Sequence, residues 1–220
     1  MTRWESLSES DRAITPKPFA TQFGEVKAGD IQYKDLNNDG KIDAYDKAYI
    51  CRGDVPQFVY GFGFSLQWKE LSIGMMFQGV QNAERLLSGS SIQPFCGGGG
   101  SGNLYGNISD RWTETNPNQN AFYPRLSYGG ETADNQNNFQ PSTWWRRDVS
   151  FLRLKTMQIS YNLPKSWSNK FMLKNIAIYA MGNNLLTFSK FKLWDPELDT
   201  DNGSAYPNTT SYSMGINVTF

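Results

Sequence analysis

The segment SYSMGINVTF, Ser211 to Phe220, sets the pattern on which the fold prediction rests. From Tyr212 onward every even-numbered residue is apolar, and every odd-numbered residue is small or polar. Because side chains on a strand point alternately to opposite faces, the segment has one apolar and one polar face. Its ten residues match the roughly 9–11 that a tilted strand needs to cross a bilayer. The pattern predicts a strand that either crosses a membrane or lies half-buried in a soluble β-sandwich.

The same alternation is strongest between Phe58 and Lys69. After a turn at Lys69-Glu70 it continues from Leu71 to Phe77, which predicts a β-hairpin. The opposite face is mostly small or polar, which suits the crowded, water-accessible interior of a large barrel. The first strand presents on one face the large apolar residues Phe58, Tyr60, Phe62, Phe64, Leu66 and Trp68.

The remaining segments complete an all-β antiparallel meander with long loops at 81–147 and 189–207. Short and long connections alternate in this way in outer-membrane barrels. Residues 1–30 carry little periodicity, and 1–57 is interpreted as an extracellular loop region that contains an Asp-rich loop at 35–46. Between Leu154 and Met157 the apolar parity slips, which predicts a β-bulge or a strand end outside the bilayer. The strands are predicted at about 58–69, 71–80, 149–163, 175–188 and 208–220.

The composition excludes several classes of function. Basic and acidic residues number 21 each, so no net charge attracts nucleic acid or an anionic membrane surface. Histidine is absent, which removes His-based triads, imidazole bases and His-ligated zinc, and we predict that the chain is not an enzyme. Aromatic residues reach 15% and charged residues only 19%, a balance typical of proteins that place rings at membrane interfaces.

Targeting and redox signals are sparse. No apolar run approaches the ~18–20 residues of a membrane-spanning helix, and the start at Met1 lacks the pattern of a signal peptide. A membrane protein of this sequence is expected to span by strands, with its export signal elsewhere. The cysteines Cys51 and Cys96 form no metal motif, and whether they pair is left open.

The segment DLNNDGKIDAYD, Asp35 to Asp46, has the spacing of an EF-hand calcium loop. Gly40 stands at the sharp turn, and Ile42 fits the apolar slot of such loops. Asp46 replaces the usual final Glu, so weaker binding is expected because Asp reaches less far. The alternative is an Asx-rich turn held by side-chain hydrogen bonds. The predicted calcium ligands are Asp35, Asn37, Asp39, the backbone carbonyl of Lys41, Asp43 and Asp46.

Several segments together resemble the C-terminal part of a SusC/RagA-type TonB-dependent outer-membrane transporter. The resemblance covers nearly the whole chain from about Gly24 onward, and the motifs are specific jointly rather than singly. In chain order they are GDIQYKDLNNDGKID (Gly29–Asp43), FVYGFGFSLQWKELSIGMMFQGVQ (Phe58–Gln81), RWT (Arg111–Thr113), YPRLS (Tyr123–Ser127), FLRLKTMQISYNLP (Phe151–Pro164), NNLLTFSKF with the nearby WDPE (Asn183–Glu197) and YSMGINVTF (Tyr212–Phe220).

The resemblance implies a multi-pass, 22-stranded barrel in the bacterial outer membrane, surrounded by lipid and plugged by an N-terminal domain. It implies import of glycans or peptides, with energy passed through TonB and a SusD-like surface lipoprotein as partner. The predicted strands would be the last five of that barrel, and the Asp loop would be extracellular. The sequence lacks the plug, the TonB box and the other strands, so the chain is interpreted as a fragment, a truncated frame or one piece of a split barrel.

The alternative interpretation is a soluble, secreted β-sandwich that binds carbohydrate in a calcium-dependent manner. It accounts for the Asp loop and for rings beside Asn and Arg in the long connection, such as Trp112, Tyr123 and Arg125. Those residues either contact a ligand or pin the loop to its scaffold, and no ligand-binding set is predicted. The single-sided rows of Phe are hard to reconcile with this interpretation.

Overall fold

The computed structural model describes residues 20–24, 26–50, 52–96, 104–127, 136–168, 170 and 172–220. The described residues of Met1–Ile50 and Leu86–Arg146 form one compact unit, the loop unit, and those of Cys51–Arg85 and Arg147–Phe220 form a second, the strand unit. The strands in this part of the chain are β1 (Phe58–Trp68), β2 (Leu71–Gln81), β3 (Glu84–Leu86), β4 (Arg146–Asp148), β5 (Phe151–Asn162), β6 (Asn175–Ser189) and β7 (Ser211–Thr219).

The strand unit is built on a five-stranded sheet with the order β1-β2-β5-β6-β7. Every neighbouring pair is antiparallel, and the spatial order follows the chain order of these strands. The predicted all-β antiparallel meander is therefore confirmed. β7 begins at Ser211 rather than near residue 208, and the short strands β3 and β4 form a separate two-stranded sheet.

A bulge in β5 explains the slip in apolar parity. β2 pairs Thr156 and Leu154 with consecutive residues, so Lys155 lies between them out of register. The pairing of β5 with β6 is irregular at the same point. Because one extra residue reverses the parity, Leu152 and Leu154 return to the face that carries Met157. Of the two predicted explanations for the slip, the bulge is confirmed.

The long connection after β3 belongs mainly to the loop unit. The sequence assigns 81–147 to the strand region as a loop, whereas the described residues of Leu86–Arg146 cluster with those that precede Ile50. The physical reason is a set of hydrogen bonds between residues about a hundred positions apart, described below. The loop unit has its own apolar core of Ile31, Ile42, Leu87, Ile92, Ala121, Tyr123 and Trp145.

Helical structure in the described residues is confined to single turns. Ala44–Asp46 and Asn137–Phe139 form 3-10 turns, and Lys165–Ser168 forms one α-helical turn. Among the described residues, no helix has the length and apolarity that crossing a membrane requires.

Candidate membrane-facing surface

The strand register places the apolar side chains of the five-stranded sheet on one side, the apolar face. Directly paired residues point to the same side of a sheet. Phe64 pairs with Met75, Met75 with Met157, and Ile178 with Ile216. The face comprises the even-numbered residues of β1 and β7, the odd-numbered residues of β2 from Leu71 to Phe77, and the apolar residues of β5 and β6 paired with them.

Most large side chains of the apolar face on β1, β6 and β7 are exposed rather than enclosed, while those of β2 are half-buried. Phe62, Phe64 and Ile216 keep 51%, 53% and 64% of their surface accessible. A β-sandwich would bury such a face against a second sheet, and soluble monomers rarely expose continuous apolar patches of this kind. A sheet with one apolar, outward face and one polar face has the construction of a transmembrane barrel wall.

Aromatic rings on this face are packed against each other, and one marks the hairpin end. The Phe77 ring stacks with Phe62 and Phe64, with centroid separations of 5.1 and 6.2 Å. At the β1–β2 turn the Lys69 ammonium lies 4.9 Å from the centroid of the exposed Trp68 ring. An amphipathic ring beside a cation is the combination expected at a membrane–water interface.

The opposite side of the sheet, the polar face, has a floor of small residues. Gly61, Gly63 and Ser65 of β1 lie beside Gly74 of β2, and a shallow cavity of about 610 Å³ opens over them toward Gln158. Small and polar side chains leave room for water, as the interior of a large barrel requires. The structure thus separates the two faces in the way that the alternation in the sequence predicts.

A cluster of ion pairs lies on the polar face, and sequence reasoning did not identify it. The Arg153 guanidinium bonds to the Asp195 carboxylate and lies 3.0 Å from a carboxylate oxygen of Glu197. The Lys155 ammonium lies 2.8 Å from the other oxygen of Glu197. The sequence does carry a signal for this cluster, because carboxylates occupy alternate positions after Trp194. Such a row predicts cations on a neighbouring strand, and Arg153 and Lys155 are the cations that pair with it.

In the loop unit, a buried ion pair joins two of the motifs. Asp30 is buried and accepts from the Arg125 guanidinium at 2.9 and 3.0 Å, while the amide of Asn138 donates to the same carboxylate at 2.8 Å. The Asn138 side-chain oxygen in turn accepts from the backbone N–H of Ile31 at 2.9 Å. A buried charge that is paired and hydrogen-bonded in this way is tolerated, and it fixes the register of the segments that meet there.

The segments around Trp112 and Tyr123 of the long connection are held together by burial and backbone hydrogen bonds. Tyr123 is buried, and its backbone bonds to the Arg111–Thr113 segment through Trp112 N–H at 3.0 Å. Burial raises the pKa of the Tyr123 phenol, and burial likewise raises the pKa of Tyr33 far above its usual range. Of the two predicted roles for Trp112, Tyr123 and Arg125, pinning the loop is the one that these contacts describe.

The oxygens of the Asp35–Asp46 loop bond mainly to backbone N–H groups of the loop itself. The Asp35 carboxylate accepts from Asn38 at 2.6 Å and from Gly40 at 2.8 Å. The backbone turns sharply at Gly40, where φ is +82°, and Ile42 is buried in the loop unit. This geometry fits both predictions for the segment, the Asx-rich turn and the calcium loop. A carboxylate oxygen that accepts one hydrogen bond keeps a further lone pair, which is able to coordinate a cation.

The two ends of the Asp loop are tied together by Asp46. Its carboxylate accepts from the backbone of Leu36 at 2.8 Å and of Asp43 at 2.9 Å. Bonds from the Asp43 and Leu36 backbones hold the pKa of Asp46 below its usual value. The six predicted ligands offer only oxygen, which is the chemistry that calcium prefers. Within the described residues, however, no three Asp, Glu, His or Cys side chains are gathered closely enough to hold a metal.

The predicted choice between paired and free cysteines stays open, because Cys51 lies outside the described residues. Cys96 is partly buried in the loop unit, and burial raises the pKa of its thiol. A raised pKa keeps the thiol protonated and unreactive at neutral pH.

Known proteins are similar to this chain in sequence and in fold. TonB-dependent receptor P26 of Formosa agariphila is 30% identical over 229 residues, which include 99% of this chain and 21% of that receptor. TonB-dependent receptor P3 of the same organism is 28% identical over 219 residues, covering 93% and 20%. No protein-family profile matches the chain.

Solved structures give the same result. The RagAB peptide importer in its open-open state superposes with a TM-score of 0.62 and 26% identity over 90% of this chain and 21% of the importer chain. The closed-closed state gives a TM-score of 0.63 and 25% identity over 84% and 20%. The predicted resemblance to SusC/RagA-type TonB-dependent transporters is confirmed. The chain spans about a fifth of the length of these relatives.

Proposed function

We propose that this chain is the C-terminal barrel segment of a TonB-dependent transporter in the bacterial outer membrane. The observation that carries the proposal is the apolar face, which extends across all five antiparallel strands and exposes large side chains on β1, β6 and β7. Hydrocarbon tails are the environment in which such a face is stable, and the polar face behind it suits a water-filled lumen. The receptors and importers similar to this chain are not enzymes by name, in keeping with the absence of histidine.

The edges of the sheet support a larger assembly. Within the five-stranded sheet, β1 pairs only with β2 and β7 only with β6. Lipid does not tolerate unpaired backbone groups, so both edges need further strands. We propose that these strands belong to the same barrel, of 22 strands as the resemblance implies, with 1–57 and the loops 81–147 and 189–207 on the extracellular side.

The proposed cargo is a peptide, with a glycan as the second candidate. Peptides take precedence because the similar solved structures are of a peptide importer. The proposed partners are a SusD-like surface lipoprotein over the extracellular mouth and TonB, which would act through the part of the transporter that this chain does not include. The surrounding lipid is the partner of the apolar face.

The test compares charges on the two faces of one strand. Phe64→Arg places a cation on the apolar face, and Ser65→Arg places the same cation on the polar face one residue later. In the complete transporter, Phe64→Arg is expected to destabilise the barrel by roughly 2–4 kcal/mol if it lies near the bilayer midplane, whereas Ser65→Arg is tolerated. Folding yield into detergent, read as the shift in electrophoretic mobility on heating, measures both. Equal yields for the two variants would contradict the proposal.

We also propose that the Asp loop holds a structural calcium ion through Asp35, Asn37, Asp39, Asp43, Asp46 and the carbonyl of Lys41. The support is the oxygen-only ligand set, the turn at Gly40 and the existing loop shape. Binding requires the carboxylates to draw closer together than they lie in this structure.

The calcium proposal is tested by amide hydrogen exchange of residues 35–46 in the complete transporter. Calcium is expected to slow exchange relative to chelator in wild type and to have no effect in Asp39→Ala. Asp110→Ala, which removes an exposed carboxylate outside the loop, is the control and should keep the calcium response. Identical exchange of wild type in calcium and in chelator would remove the metal from the proposal.

A further inference from the structure

The β6–β7 connection carries a regular row of carboxylates. Asp195, Glu197, Asp199 and Asp201 occupy every second position of the segment Trp194–Asp201, which we call the strap. Three cations of the strand unit contact these carboxylates, and they come from different parts of the chain: Arg85 lies in β3, and Arg153 and Lys155 lie in β5. The strap therefore lies on a basic patch, and it turns at Asp195–Leu198, where the Leu198 N–H donates to the Asp195 carbonyl at 3.1 Å.

The contacts are strongest at the N-terminal half of the strap. Arg153 is held between Asp195 and Glu197, and Lys155 reaches both Glu197 oxygens at 2.8 and 3.0 Å. The Arg153 side chain keeps only 2% of its surface accessible. In the second half, Arg85 lies 2.5 Å from Asp199, whose side chain is 90% exposed. Burial concentrates the electrostatic hold on the first two carboxylates, since exposed ion pairs are weak.

The Arg153 guanidinium retains unused binding capacity. Its Nε is buried and has no hydrogen-bond partner among the described residues, although the terminal nitrogens are paired. A guanidinium binds a carboxylate best through two parallel N–H bonds, and the strap does not supply both through one carboxylate. The site is thus occupied but not saturated by its own chain.

The ion pairs determine how the strap can leave. Removing the strap alone would take from Arg153 and Lys155 the carboxylates with which they are paired. Replacing the strap by another carboxylate-bearing segment would restore the pairing. Exchange of the strap for an anionic segment therefore costs less than loss of the strap alone, and the strap itself identifies a carboxylate-bearing peptide as the class of ligand that fits.

We propose that the patch of Arg85, Arg153 and Lys155 is a binding site for acidic peptide segments, and that the strap occupies it as an internal ligand until such a segment replaces it. This inference rests on the proposed transport function and narrows its cargo. In wild type the tethered strap has a high effective concentration and competes strongly with any peptide in solution. Neutralising the strap should therefore uncover the site.

The experiment uses the complete transporter in detergent and a fluorescent peptide of the strap sequence, LWDPELDTDN (residues 193–202). In the variant Asp195→Asn/Glu197→Gln, the peptide is expected to bind at least about tenfold more tightly than to wild type, because a tenfold change is a modest coupling between two competing ligands. The matched control variant is Asp199→Asn/Asp201→Asn, which changes the exposed half of the strap and should give a much smaller gain. Fluorescence anisotropy at low salt measures the affinities.

Two further measurements decide the result. A peptide with all four carboxylates replaced by amides should not bind, and Arg153→Gln in the Asp195→Asn/Glu197→Gln background should abolish binding of the acidic peptide. Equal affinity of wild type and the neutralised variant, or binding of the amide peptide, would overturn the inference. Heat-modifiable mobility of each variant reports barrel assembly independently. Assembled variants without binding reject only this inference, whereas failure of the wild type to insert rejects the proposed function, and the inference falls with it.

Discussion

The loop unit buries a tryptophan, whereas the strand unit exposes one. Trp145 of the loop unit is 1% exposed, and its indole N–H donates to the backbone carbonyl of Asn138 at 2.8 Å. Trp68 of the strand unit is 65% exposed. The difference follows from how each unit satisfies its backbone. Ladder bonds pair the backbone of the sheet interior, so its large side chains are free to face lipid, whereas irregular segments need side chains as partners.

We therefore expect the two units to be sensitive to different substitutions. The loop unit should fail when one buried polar side chain is removed, because several backbone groups depend on it. The strand unit should tolerate polar change on one face and reject charge on the other.

Asp30→Ala is expected to have the largest effect, in the loop unit. Removal of the carboxylate takes the Asp30 ion pair from the partly buried Arg125 guanidinium, and it takes an acceptor from Asn138 and from the backbone of Lys27. Breaking one side of a buried ion pair costs roughly 3–5 kcal/mol. Hydrogen exchange of residues 26–33 and 121–127 in the complete transporter should rise together.

The double variant Asp30→Ala/Arg125→Met separates the pair from its surroundings. If the buried charge dominates, the double variant is less destabilised than Asp30→Ala alone, since the partly buried guanidinium is removed together with the carboxylate that balances it. Asp110→Ala, at an exposed position of the same unit, should leave exchange unchanged. Comparable losses for Asp30→Ala and Asp110→Ala would contradict the role assigned to the buried network.

Ile216→Lys tests the strand unit on its last strand. Ile216 pairs with Ile178 on the apolar face, and its neighbour Asn217 lies on the polar face. A lysine near the bilayer midplane on the lipid side costs roughly 2–4 kcal/mol, and the same residue in a wet lumen costs little. Urea titration of the refolded transporter in lipid vesicles measures the difference. A larger loss for Asn217→Lys than for Ile216→Lys would reverse the assignment of the faces.

The sequence predicted the strand unit far better than the loop unit. Period-two alternation is local, so Phe58–Lys69 and Ser211–Phe220 carry their own signal, and even the bulge at Lys155 left a trace as a slip in parity. The core of the loop unit depends on Asp30 and Asn138, which are polar, lie far apart in the chain and follow no period. Nothing in a local pattern marks such a pair. The ion pairs of the strap were missed for a different reason: its carboxylates alternate locally, but the cations that pair with them lie in distant strands.

Two glycines of β2 give the smallest expected effect and the finest test of the two faces. Gly79 lies on the apolar side beneath its partner Tyr60, and a Cβ there would fall 2.1 Å from the phenol ring. Gly74 lies on the polar side, and a Cβ added there would meet nothing within 4 Å. Gly79→Ala should therefore destabilise by about 1–3 kcal/mol because the ring must move, while Gly74→Ala should be neutral or stabilise by about 0.4–1 kcal/mol by restricting the unfolded chain.

The contribution of the Tyr60 ring is isolated by the variant Tyr60→Ala/Gly79→Ala. A ring that covers a glycine shields the strand backbone, so Tyr60→Ala alone is expected to destabilise the sheet. Once the ring is gone, the added methyl group has room, and the two losses should not add. Urea titration of the four proteins gives the coupling directly. Strictly additive losses would mean that the Tyr60 ring does not cover Gly79 when the transporter is in the membrane. The stability of this edge of the sheet would then depend on the backbone pairing of β1 with β2 and not on the ring.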